Sequence, residues 1–165
     1  MSTSPYASAP NHRLTEIIRL AEIRLAAQLT VAIAADQRAM TFASFLATLE
    51  AAAIAGLISL PSFPSGWWAL AVITIGFGVA TVLAALSAQP VPWDMPGYPP
   101  SNWLPEIDCG DTRHEDQAAV AQHYAEAISD NELVMAHNAT LLRIALWIAV
   151  TSVSLAGAVA ILAHR

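Results

Sequence analysis

Residues 67–87 read WWALAVITIGFGVATVLAALS, a run with no charged side chain. About 20 residues rising 1.5 Å each cross a hydrocarbon core of roughly 30 Å. This stretch therefore places the chain in a membrane. Trp67 and Trp68 stand where an interfacial aromatic belt begins. Working outward, residues 41–60, TFASFLATLEAAAIAGLISL, form an equally long run whose only charge is Glu50. Residues 141–163, LLRIALWIAVTSVSLAGAVAILA, form a third, with Arg143 near its start. Within the middle run Gly76, Ala80 and Ala84 follow the small-xxx-small spacing that lets helices approach closely. An abundance of Ala would give the same spacing, and both readings stand.

The first and third runs are preceded by helical sequence of another kind. From Asn11, a candidate N-cap, no Gly or Pro interrupts the chain before Gly56. Leu14, Ile18, Ala21, Leu25, Leu29 and Ala32 recur at spacings of four and three, one apolar stripe on a helix otherwise crowded with Arg and Glu. Residues 11–40 are thus amphipathic. Residues 61–66, PSFPSG, make a tight turn between the first two runs. Residues 88–111 form a connector whose six prolines forbid regular helix. Thr112 to Glu115 fits a capping box, opening a second amphipathic helix over 112–140. There, Ala121, Ile128, Met135 and Leu142 repeat every seven residues beside Tyr124, Asn131, Asn138 and Ala145. Such a seam packs like a coiled coil, and its two Asn either fix its register from inside or sit at its rim. The expected fold is an all-α membrane protein: one membrane domain over 1–165, with three transmembrane helices (41–60, 67–87 and 141–163). Amphipathic cytoplasmic helices at 11–40 and 112–140 extend the first and third of these.

Arg placement orients it. Arg13, Arg19, Arg24 and Arg38 precede the first span, Arg113 and Arg143 flank the third on its N-terminal side, and Arg165 alone lies beyond. The positive-inside rule then puts the amino terminus and 88–140 in the cytoplasm and the carboxyl terminus in the periplasm. Residues 1–13 hold no apolar segment of a cleavable signal, so the first span is expected to target the chain itself. The absence of Lys and the heavy use of Ala suggest a GC-rich bacterial genome, hence a multi-pass protein of the inner membrane. Charged residues make up 12%, about half the usual 25% of soluble domains. The net charge of −6 argues against nucleic acid as partner. The single Cys109 leaves no intramolecular disulfide and no Cys-rich zinc framework.

Few side chains suggest chemistry. Glu50 in mid-span costs about 2.5–3.5 kcal/mol on insertion scales. Either it serves an ion or proton pathway or an oligomer contact, or it is protonated and bonded to a neighbour such as Thr74, Thr151 or Ser152. Thr41, Ser44 and Thr48 form a second polar face, pore-lining or bonded to their own backbone. Asp36 continues the apolar stripe about one turn before the first span, and Arg143 sits just inside the third. The two are expected to pair at the interface with Asn138 as a further donor, while Arg38 reaches lipid phosphates. Arg24 is expected near Glu126. Asp108, Cys109, Asp111, His114, Glu115 and Asp116 cluster, but acids in a first helical turn are favourable through the dipole alone. His123, Asp130 and His137 are about 10.5 Å apart in succession along their helix and cannot share an ion. No metal site, cofactor or catalytic triad is read, and the chain is not expected to be an enzyme.

Asp36-Gln37-Arg38-Ala39 before the first span resembles the Asp-x-Lys-Ala stretch of bacterial antiphage membrane effectors of the Pycsar type and the related SLATT-type domains, with Arg for Lys. Tyr124 to Ile128 and Asn138-Ala-Thr-Leu-Leu142 are similar to that family's approach to its last span. A Lys usual there is missing, with Asn138 and Arg143 nearby, which leaves nucleotide sensing open. The resemblance implies a homo-oligomer that permeabilises the inner membrane when a cyclic pyrimidine nucleotide signals infection; no residue is assigned to that ligand. The rivals are an accessory subunit of a membrane complex and an ion-coupled transporter or membrane enzyme using Glu50.

Overall fold

A computed structural model describes residues 5–59, 65–97 and 113–163. It holds three helices: α1 (Asn11–Ser59), α2 (Ser65–Ser87) and α3 (Arg113–Ala163). All three are long and apolar enough to cross a membrane, so the chain is compatible with a multi-pass membrane protein. No strand occurs among the described residues. The turn at 61–64, the acidic cluster at Asp108, Cys109 and Asp111, the cap at Thr112 and the terminal Arg165 lie outside them.

Helix α1 starts one residue earlier than a cap at Asn11 requires. The Pro10 carbonyl already accepts from the N–H groups of Arg13 and Leu14, at 2.9 and 3.1 Å. Proline is suited to a helix start because it carries no N–H to leave unpaired. At the other end of α2, Ala88 and Gln89 donate to carbonyls three residues back, tightening the chain ahead of Pro90.

Two compact units form. The first joins 1–32 with 91–135, the second 33–90 with 136–165. In the first, the stripes found in the sequence are the core. Leu25 packs with Val120, Tyr124 and Ala127, and Leu14 with Ala118 and Ala121. Tyr124, Leu14 and Leu25 are the largest fully buried side chains. In the second, small residues carry the packing. Ala80, Ala84 and Ala145 are wholly buried, beside Ala43, Leu46, Phe77 and Ala149. Small side chains let helix backbones approach closely, and close packing of that kind joins helices even where no hydrophobic drive acts between them. The Gly76, Ala80, Ala84 spacing is thus a packing face.

Candidate functional site

The second unit holds the one acidic side chain of the apolar runs. Glu50 is partly buried on α1, and its carboxyl rests on Gly78 of α2. A Cβ built at Gly78 would stand 2.8 Å from Glu50 Oε1, so glycine there makes room for the carboxyl. Thr74 and Thr81 lie one turn to either side of Gly78 on the same face of α2. Their γ-oxygens are enclosed and without a hydrogen-bond partner. Glu50 itself makes no hydrogen bond or ion pair among the described residues. The opposite side of α2 has a second such seat. A Cβ at Gly76 would come within 1.8 Å of Ser152 Oγ on α3.

The partners expected for Glu50 are engaged elsewhere or unbonded. Thr151 donates to the Trp147 carbonyl at 2.8 Å and Ser152 to that of Ile148 at 2.7 Å, while Thr74 bonds nothing. Thr41, Ser44 and Thr48 are exposed, and each hydroxyl donates to the carbonyl four residues back, at 2.8, 2.8 and 2.9 Å. The self-bonded reading of that face holds in this single chain.

Asp36 and Arg143 do not pair. Ion pairs form instead at Arg19–Glu16 and Arg24–Glu132. Asp36 is partly buried, as its place on the stripe requires, but Arg143 is exposed. At about 100° per residue, Arg143 lies some 160° around α3 from buried Ala145, outside the buried seam. Arg38 and Arg143 instead border one cavity of about 410 Å³ together with Phe42, Ala139, Leu142 and Leu146. Asn138 is partly buried.

Arg24 meets Glu132 at 2.5 Å, not Glu126. Axial level does not decide this pair; rotation about α3 does. Glu126 sits about 160° around α3 from buried Tyr124, while Glu132 sits about 100° from buried Asn131, on the flank of the seam. Glu126 accepts instead from Gln122 at 2.6 Å.

Asn131 is buried, 3% exposed, not at a rim. It fixes no partner Asn; it holds the Pro-rich segment. Its amide donates to the Asp94 carbonyl at 3.0 Å and its oxygen accepts from the Asp94 N–H at 3.3 Å. Two turns back, the Tyr124 hydroxyl accepts from Gly97 N–H at 3.1 Å and donates to Glu22 at 3.3 Å. Gly97 has φ +103°, a conformation that side chains disfavour. Sequence reasoning missed this strap, and also Gln28, buried on α1 with its amide on the Ile128 carbonyl at 3.2 Å. Two polar residues seven apart in an apolar seam were the available signal. His114 Nε2 lies 2.8 Å from the Ala9 carbonyl. No group of three His, Cys, Asp or Glu side chains converges among the described residues.

No family model, no curated protein and no solved structure matches this chain.

Proposed function

We propose that the chain is a non-enzymatic, oligomeric inner-membrane effector that makes the bilayer leaky. The observation that carries this reading is Glu50: a mid-span carboxyl seated on Gly78, flanked by two enclosed hydroxyls, with no hydrogen-bond partner among the described residues. A polar group in hydrocarbon is costly until something satisfies it. A second copy, or water admitted between copies, satisfies it. The sequence similarity to Pycsar-type and SLATT-type effectors supplies the setting: antiphage defence, with a cyclic pyrimidine nucleotide as trigger. The amino terminus and 88–140 then face the cytoplasm. A reporter fused after Arg165 should be active only in the periplasm, and one near Gly110 only in the cytoplasm.

The test is induced expression with a membrane-potential dye, and dye release from vesicles holding the purified chain. Wild type should depolarise cells and empty vesicles. Glu50→Gln should assemble equally and leak much less. A chain that leaves both membranes tight, alone and with cyclic nucleotide, is an accessory subunit. If Glu50→Gln abolishes coupled uptake of a solute in vesicles that were never leaky, the protein is a transporter.

A further inference from the structure

Among the described residues, Arg19 and Arg24 each form an ion pair, whereas Arg38 and Arg143 of the second unit form none. Both are exposed, and both border the same cavity of about 410 Å³. Arg38 lies three residues before the first apolar run and Arg143 two residues inside the third. The remaining walls are Phe42, Ala139, Leu142 and Leu146, all apolar. An open groove lined by two guanidiniums and four apolar side chains matches a ligand that has a phosphate and an acyl chain.

We propose that Arg38 and Arg143 together hold the phosphodiester of one anionic phospholipid, whose acyl chain lies along Phe42, Ala139, Leu142 and Leu146. Two planar guanidiniums bind phosphate oxygens in pairs, which a hydrated ammonium matches poorly. Basic pockets between helices at a membrane surface recognise lipid headgroups in this way. The long Arg143 side chain spans the short depth from its backbone to the headgroup layer. A diffuse attraction to an anionic membrane surface does not account for the arrangement, because the chain as a whole carries a charge of −6. The apolar walls favour a lipid over a soluble phosphate, which would leave them facing water. The inference rests on α1 and α3 entering a bilayer at these residues and does not require the chain to permeabilise anything.

The test uses the full chain released from nanodiscs of phosphatidylcholine and phosphatidylglycerol, with retained lipids counted by native mass spectrometry. Wild type should keep one phosphatidylglycerol with a preference of about tenfold or more over phosphatidylcholine, equivalent to roughly 1.4 kcal/mol. The double variant R38Q/R143Q should lose that preference, while R38K/R143K keeps part of it and R19Q keeps all of it. Ala139 is exposed, so A139W fills the slot without disturbing a core and should expel the lipid with both Arg in place. A139W therefore decides the matter if the double Gln variant does not fold. Unchanged retention in A139W, or in a folded R38Q/R143Q, overturns the proposal. So does displacement of the lipid by millimolar inorganic phosphate, which would make the site one for a soluble anion.

Discussion

Replacing Leu25 with Ala tests which force holds the first unit together. Leu25 is 1% exposed and packs against Val120, Tyr124 and Ala127. Truncating a fully buried Leu costs about 2–5 kcal/mol, the transfer term plus the cavity left behind. Two neighbours are small or β-branched and the third is a ring fixed by hydrogen bonds, so little collapse into the gap is available. A cost near 3 kcal/mol follows, within that range. Beside it on the same helix, Arg24 pairs with Glu132 through side chains 62% and 48% exposed. An ion pair so wet is worth about 0–1 kcal/mol. The assay is amide hydrogen exchange over residues 118–128 in nanodiscs, where local opening reports the stability of this unit. L25A should reduce protection there by about a hundredfold, since every 1.4 kcal/mol is tenfold. R24A should reduce it less than about fivefold on the same scale. Equal losses in the two variants would refute the reasoning that apolar burial, not charge, joins these helices.

Gly76→Ala should disrupt the second unit, because its Cβ would overlap Ser152 Oγ; overpacking of this kind costs about 1–3 kcal/mol, and S152G should restore the folded yield. Gly157→Ala meets nothing within 4 Å and should hold or slightly raise thermal stability in the same detergent. Tyr124→Phe removes the hydroxyl shared by Gly97 and Glu22, about 1 kcal/mol per bond, and should speed proteolysis within 91–97 while Phe keeps the packing. The Arg19 guanidinium, hydrogen-bonded to Glu16, holds that carboxyl below the usual range. The small stabilisation this represents is present above the unfolded value and is lost as pH falls through the lowered one. Arg19→Gln should move the Glu16 titration upward by NMR.

The three long apolar helices were legible because their signal is local and redundant: a run such as 67–87 needs no partner to be recognised. The stripes through Leu14, Leu25 and Ala32, and through Ala121 and Tyr124, were legible because helical periodicity fixes which residues share a face. What failed depended on rotation between elements. Glu126 and Arg143 lie at the expected heights but on the wrong sides of α3, and counting residues along an axis does not reveal that. The seat of Glu50 on Gly78 was hidden for another reason. A glycine in an apolar run announces close approach without naming what approaches. The strap at 91–97 was hardest to see, because Pro-rich sequence predicts only what does not form, and its anchors Tyr124 and Asn131 lie in another element.

The two glycines of α2 act as keyways cut on different sides of one shaft. Gly78 receives a carboxyl from α1 and Gly76 a hydroxyl from α3. Turning α2 about its axis by one residue would bring Val79 or Phe77 toward the seat at Gly78 and, in the same turn, Phe77 or Ile75 toward the seat at Gly76. Sliding by one residue requires the same exchange. Only a movement that carries all three spans as one body, or that first withdraws both keys, leaves the helix free. Motion within this packing is therefore easiest at its outer faces, along the exposed rows of α1 and α3. The middle helix is the part least able to serve as a gate.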